Sequence, residues 1–269
     1  MRGLDGKNVL VTGGTSGIGQ ATAVRFAEYG ANVAINYLKS PDEAAETEEQ
    51  VHACVQRVRG HDVKDVLVGG DVSEEEEVIR MVGQAAGELG SIDVLVNNAG
   101  IQISRPSQEL SQADFEKVLA VNLRGAFLCA REAIKRFLDA GKGGVIINVS
   151  SVHQDIPKPD YLGYSVSKGG MRNLTRTLAL EFANHDIRVN AVGPGATVTP
   201  INRAWVDDPV KGEMVSSHIP LGRPATADEM AGVICFLASD DAAYITGQTI
   251  FVDGGLTLFA DFREPWSSE

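Results

Sequence analysis

The chain is poor in cysteine, in aromatic residues and in positive charge. Its three cysteines among 269 residues, Cys54, Cys129 and Cys235, form no CxxC pair and sit by no histidine cluster. An odd, scattered set excludes a disulfide scaffold and a thiolate metal site, so no metal is expected. It points to a reducing, cytoplasmic setting. No apolar run approaches the roughly 18 residues of a membrane span. The first strand-like run begins at Asn8, too early for a preceding signal peptide. Basic residues number 24 against 36 acidic, a formal net charge of −12. A field of that sign disfavours nucleic acid and anionic membrane as partners. Any site for an anionic ligand must therefore be built locally. Core material is plentiful: 43% of the residues are hydrophobic, and a chain of this length buries a large interior without staples.

Short apolar runs alternate with longer amphipathic ones. The pattern predicts strands at Asn8–Thr12, Asn32–Asn36, Asp65–Gly69, Val94–Asn97, Gly144–Val149, Arg188–Val192 and Thr249–Val252. It predicts helices at Gly17–Tyr29, Pro41–Arg59, Glu74–Leu89, Gln112–Ala140, Tyr164–Ala183 and Ala227–Ser239. The runs VLVTG, DVLVNN and GVIINVS are continuously apolar, as in strands covered on both faces. Such alternation implies an α/β fold with a parallel sheet and right-handed crossovers. Thr226-Ala-Asp-Glu229 fits a capping box, and Ser111 leads Asp114 by three residues at another helix start. Glu74–Glu77 reads as an acidic first helical turn, where carboxylates suit the dipole. With no repeat, low-complexity tract or linker, residues 1–269 are expected to form a single domain.

The stretch Thr12-Gly13-Gly14-Thr15-Ser16-Gly17-Ile18-Gly19 places four glycines in seven positions between a strand and a helix. Glycine there costs conformational entropy. It is explained if an anionic group approaches the backbone at a helix N-terminus, where free N–H groups and the dipole attract it. The spacing is TGxxxGxG, not GxGxxG, and alone it also fits a tight strand–helix turn. Three further signals fall at strand ends, where an open α/β sheet binds ligands. Asn97-Asn98-Ala99-Gly100 ends the fourth strand, and Ser150-Ser151 ends the fifth. Tyr164 follows Ser151 by thirteen residues and Lys168 follows four later, on one helical face. By itself the Tyr/Lys pair also fits an ordinary amphipathic face.

Taken together and in order, TGGTSGIG, NNAG, Asn122 in VNL, Ser151, the Tyr164/Lys168 pair and Pro194-Gly195 identify the chain as similar to the short-chain dehydrogenase/reductase family over nearly its whole length. That resemblance implies a doubly wound Rossmann domain, a seven-stranded parallel sheet with helices on both faces, and a homotetramer using NAD or NADP. It implies catalytic roles for Asn122, Ser151, Tyr164 and Lys168. Alcohol oxidation needs a base, and free tyrosine, with a pKa near ~10, is too weak an acid to be one at neutral pH. A nearby ammonium lowers that pKa, so Lys168 is expected to tune Tyr164 and, by resemblance, to bind the nicotinamide ribose. Ser151 would steady charge on the substrate oxygen, and Asn122 would hold a water in a relay with Lys168.

The expected cofactor contacts are the loop residues Gly13, Thr15, Ser16, Gly17, Ile18 and Gly19, then Tyr37, Lys39 and Ser40 after the second strand. Asp71 and Val72 resemble an adenine-contacting pair, although Asp71 also suits a helix cap. Asn98, Ala99 and Gly100 lie by the cofactor, Asn98 as a brace of the central strands. Pro194, Gly195, Thr197, Val198 and Thr199 resemble the loop meeting the carboxamide and pyrophosphate. No acid ends the second strand in Asn36-Tyr37-Leu38-Lys39-Ser40, which leans to NADP and still permits NAD. The segments SSVHQ, GYSVSKGG and GPGATVTPIN resemble the bacterial glucose 1-dehydrogenase branch, so the expected substrate is a sugar or polyol. Ser151, His153, Tyr164 and Ala196 would line its site, with His153 donating to a hydroxyl. The chain departs from that branch at QDIPKPDYLG and in an aromatic tail carrying Phe259, Phe262 and Trp266. Two other functions share these motifs or this fold. One is an NADPH-dependent carbonyl or 3-oxoacyl reductase, and the other is a non-catalytic nucleotide sensor, which would tend to lack the Tyr/Lys pair.

Overall fold

A computed structural model describes residues 1–38, 56–58 and 61–258. The strands are β1 (Asn8–Val11), β2 (Asn32–Tyr37), β3 (Asp65–Gly69), β4 (Val94–Asn97), β5 (Gly144–Val149), β6 (Ile187–Pro194), β7 (Thr197–Val198), β8 (Ala225–Thr226) and β9 (Thr249–Val252). The helices are α1 (Gly17–Glu28), α2 (Glu75–Leu89), α3 (Gln112–Leu119), α4 (Gly125–Ala140), α5 (Leu162–Phe182), α6 (Arg203–Val206), α7 (Pro209–Ser217) and α8 (Ala227–Ala238). Seven strands form one parallel sheet in the order β3-β2-β1-β4-β5-β6-β9, and β7 pairs with β8 apart from it. The order reverses between β1 and β4, which opens a crevice at the carboxyl ends of these two strands.

Successive strand residues point to opposite faces, and both faces are covered. Val9, Val11, Val94, Val96, Ile147 and Val149 pack with α1 and α8. Leu10, Leu95 and Ile146 pack with α2 and α4 on the other side. This double coverage is the physical reason for the unbroken apolar runs. The capping signals are realised. Thr226 and Glu229 close a reciprocal box at α8, Ser111 accepts from the Asp114 N–H at α3, and Glu75, Glu76 and Glu77 fill the first turn of α2.

The departures are local. The predicted helix Gln112–Ala140 is interrupted by a π-helical turn, Ala120–Arg124, which joins α3 to α4. The apolar period continues through it, so the pattern carries no mark of the extra residue. The strand predicted at Arg188–Val192 runs from Ile187 to Pro194, paired with β5 and β9. Helices α6 and α7, together with the β7–β8 pair, occupy a stretch for which the pattern predicted no elements. In α7, Val210 and Met214 are 78% and 65% exposed, so no buried stripe announces it. Most of the predicted Pro41–Arg59 helix, Lys39, Ser40, Cys54 and the aromatic tail lie outside the described residues.

Candidate active site

The carboxyl ends of the strands surround a cleft of about 240 Å³. Gly13, Ser16, Gly17 and Ile18 form one wall, and Asn98, Ala99 and Gly100 the next. Ser151, Tyr164 and Lys168 form the third wall, with Pro194, Gly195, Thr197 and Thr199 closing the fourth. Residues separated by up to 189 positions, from Gly13 to Asn202, thus share one space because four parallel strands end there. Ser150, Pro200, Ile201 and Asn202 also line it. Ser150 belongs to the strand-end signal Ser150-Ser151, and Pro200, Ile201 and Asn202 to the segment GPGATVTPIN, although none is among the expected contacts.

The glycine loop has the geometry of an anion cradle. Gly13 and Gly17 have φ of +58° and +50°, a region that side chains disfavour. A Cβ on Gly19 would collide with the Gly13 carbonyl and the Asn98 amide, so this glycine packs the loop from behind. Ser16 is the N-cap of α1, yet its side chain makes no capping hydrogen bond. The first-turn N–H groups have no intrahelical partner and adjoin the cleft. Asn98 donates to the carbonyls of Thr12 (3.0 Å) and Gly13 (2.9 Å), tying β4 to the loop. Asn36 supports it from the other side, accepting from the Gly13 N–H and donating to Val68 and Gly70 carbonyls.

Tyr164 and Lys168 share a face of α5. The Lys168 Nζ lies 5.6 Å from the Tyr164 ring centre and donates to the Val149 carbonyl at 2.7 Å. Lys168 is 4% exposed. Burial lowers its pKa to about 8, which leaves it largely protonated near neutrality. The tuning differs from expectation. Burial pushes the Tyr164 phenol up, and the hydrogen bond with Ser151 only opposes it. Desolvation of the phenolate outweighs the Ser151 hydrogen bond. The Ser151 Oγ accepts from the His153 N–H at 3.1 Å, which leaves its own proton to donate into the cleft.

His153 corrects a second expectation. Its Nδ1 lies 3.0 Å from the Ile156 carbonyl. A carbonyl only accepts, so Nδ1 carries the proton. Burial, assisted by Lys158, lowers the imidazole pKa against the opposing pull of that bond. The neutral ring therefore offers Nε2 as an acceptor, not a donor. The ring stands edge-on to Tyr164, 6.2 Å between centres, just behind the cleft wall.

Asn122 also sits behind the wall, buried on the π-helical turn. Its side chain accepts from the Ile101 N–H (2.8 Å) and donates to the Ile101 carbonyl (2.9 Å) and to Ser167 Oγ (3.1 Å). Ser167 passes the contact to the Tyr164 carbonyl at 2.7 Å. The extra residue of a π turn re-aims a side chain out of helical register, and here it brings Asn122 against both the post-β4 loop and α5. Asp71 serves its local turn: its carboxylate accepts from the Ser73 N–H and hydroxyl. Thr15, Tyr37, Val72, Ala196 and Val198 are likewise outside the cleft lining.

A family model described as enoyl-(acyl carrier protein) reductase, one of the short-chain dehydrogenase group, matches residues 13–257. The chain belongs to the short-chain dehydrogenase/reductase family. It is an NAD(P)-dependent oxidoreductase acting on CH–OH groups. This dehydrogenase is 53% identical over 263 residues to glucose 1-dehydrogenase of Gluconobacter oxydans, covering 98% of this chain and 96% of that one. It is 43% identical to 3beta-hydroxysteroid dehydrogenase 1 of Eggerthella lenta, covering 97% of each. A gluconate 5-dehydrogenase from Burkholderia cenocepacia, solved in complex with NADP and tartrate, superposes with a TM-score of 0.85 at 35% identity, over 94% and 96% of the two chains. The residues fit the dinucleotide. The loop glycines leave backbone bare at a helix N-terminus whose cap side chain makes no capping bond, as a pyrophosphate requires.

Proposed function

We propose that the enzyme oxidises the anomeric hydroxyl of an aldose to the lactone. The observation that carries this is the full-length likeness to a glucose 1-dehydrogenase, 53% identical over 98% of this chain. His153, neutral and edge-on to Tyr164 behind the cleft wall, supports the reading as an acceptor for a second hydroxyl next to the reacting carbon. Gly13, Ser16, Gly17 and Ile18 would hold the pyrophosphate, and Ala99, Tyr164, Lys168 and Thr197 the nicotinamide end. The cofactor would supply the hydride acceptor for the alcohol carbon.

The chain's own part is to hold the alcohol and move its proton. Ser151 donates to the substrate oxygen. Tyr164 removes the hydroxyl proton as the phenolate, its own proton having passed to solvent because positive charge in the cleft stabilises the anion, and Lys168 supplies one such charge from within the protein. Asn122 holds the Ile101 loop and α5 in place around it. We infer NADP use with NAD tolerated, because no carboxylate ends β2, and a homotetramer as in the resembled family. The apolar groove of Leu119, Leu123, Phe127 and Leu174 is open for such contacts.

Absorbance at 340 nm with NAD and NADP, over aldoses, polyols and simple secondary alcohols, tests this directly. Reduction with an aldose is expected. Silence on sugars, with NADPH consumed by ketones, would make the enzyme a carbonyl reductase instead. Tyr164→Phe is expected to lose at least about a thousandfold in turnover, at the upper range of acid–base catalysis, while still binding cofactor by fluorescence. Full activity in that variant would overturn the site.

A further inference from the structure

A chain of buried side-chain hydrogen bonds crosses the sheet beneath the cleft, and none of its members lines the cleft. Asn97 Nδ2 donates to the Ala126 carbonyl of α4 at 3.2 Å and to Asn148 Oδ1 at 2.9 Å. Asn148 Nδ2 donates to Thr175 Oγ1 at 2.9 Å. The Thr175 hydroxyl donates to the Met171 carbonyl within α5 at 2.8 Å. Asn97, Asn148 and Thr175 are 3%, 0% and 0% exposed. The direction of every bond is fixed. The Ala126 carbonyl only accepts, which fixes Asn97 Nδ2 as donor, and reversing Asn148 would then set its Nδ2 against that of Asn97.

The two ends of this ladder reach α4, which continues the π-helical turn of Asn122, and α5, which carries Tyr164 and Lys168. Ala126 is four residues beyond Asn122, just past the π-helical turn. Thr175 lies on the same stripe of α5 as Tyr164, Lys168 and Met171, at spacings of four, three and four. Strand β5 therefore grips α5 twice with consecutive residues: the Val149 carbonyl holds Lys168, and the Asn148 side chain holds Thr175. Asn97 and Asn148 face each other in register across β4 and β5, so one rigid pair of strands sets both helices.

We propose that Asn97, Asn148 and Thr175 are positioning residues for the reaction, fixing the height of α5 on the sheet and its distance from the Asn122 turn. This rests on the assignment of Tyr164, Lys168 and Asn122 to the active site. Each amide nitrogen of the ladder is hydrogen-bonded and Asn97 Oδ1 alone is buried without a side-chain or backbone partner, and buried side-chain bonds of this kind rigidify what they join. A displacement near 1 Å at a reacting group costs up to about a hundredfold in rate.

The test compares Thr175→Val, which keeps the shape and deletes the hydroxyl, with Thr175→Ser, which keeps the hydroxyl. Folded sites are counted by binding of the reduced dinucleotide, and turnover per site is measured against pH. Lys168 of α5 and His153 of the turn after β5 are the titratable groups described facing Tyr164, and Ser151 faces it as a neutral donor. Thr175→Val is expected to lower kcat per site by roughly ten- to a hundredfold with KM little changed. The pH at which the oxidative rate rises is expected to move upward as Lys168 withdraws from Tyr164. Thr175→Ser is expected to restore both. Unchanged turnover per site and an unchanged profile, with only a lower Tm, would overturn the proposal. If Thr175→Val does not accumulate folded, Thr175→Ala, which leaves room for water, is read the same way. Tyr164→Phe at full activity overturns the site itself; an inactive Tyr164→Phe beside a normal Thr175→Val overturns only the ladder.

Discussion

Lys168 is a cation enclosed by protein, held by one carbonyl and lowered to about 8. Unfolding returns it to its ordinary value near ~10.5, so between those two values the unfolded chain binds more protons than the native one. Stability therefore rises with pH across that window and carries a constant penalty below it. Lys168→Met is expected to abolish turnover yet stabilise the cofactor-free enzyme at pH 7. The gain is on the order of 1–2 kcal/mol after loss of the Val149 bond is subtracted. Thermal scans check this, and the advantage should vanish above pH 10. His153 gives a second test at this scale. His153→Ala is expected to raise KM for aldoses about tenfold, through one lost hydrogen bond, with the cofactor Kd unchanged. The Tyr164/Lys168 spacing was legible in the sequence because a helix fixes which residues share a face. The state of these groups was not legible, because desolvation depends on what the rest of the chain places around them. The same holds for the donor or acceptor character of His153, set by a carbonyl three residues away.

The glycine loop and α1 work as one element. Gly19 sits where the loop carbonyl of Gly13 and the amide of Asn98 close in behind it, so Gly19→Ala must push the loop outward. We expect a loss of about 1–3 kcal/mol in stability and at least tenfold weaker cofactor binding, read by denaturant titration and by fluorescence. The loop was recognisable as a strand–glycine–helix pattern. The π-helical turn was not, because an inserted residue leaves the apolar period nearly intact while moving Asn122 to a new face. Helices α6 and α7 escaped for the opposite reason. In α7, Val210 and Met214 are exposed, and α6 is a single four-residue turn, so neither has a one-sided stripe to be read.

At the scale of the whole molecule, the groove of Leu119, Leu123, Phe127 and Leu174 faces outward, with Phe127 42% exposed. In the homotetramer proposed above, this apolar surface is a contact between chains. Phe127→Glu is expected to reduce the sedimenting species below the tetramer proposed for the wild type. Unchanged sedimentation would mean that this face is not part of the assembly. By itself the sequence determined the strand–helix alternation, the doubly covered sheet and the family motifs, because these depend on local periodicity and on spacing along one chain. It also determined that Tyr164 and Lys168 face the same way. Only the tertiary structure decided that Ser151, Tyr164, Lys168 and the glycine loop meet in one cleft with Asn122 braced behind it. The ends of parallel strands are brought together by sheet order, and sheet order is set by packing over the whole chain.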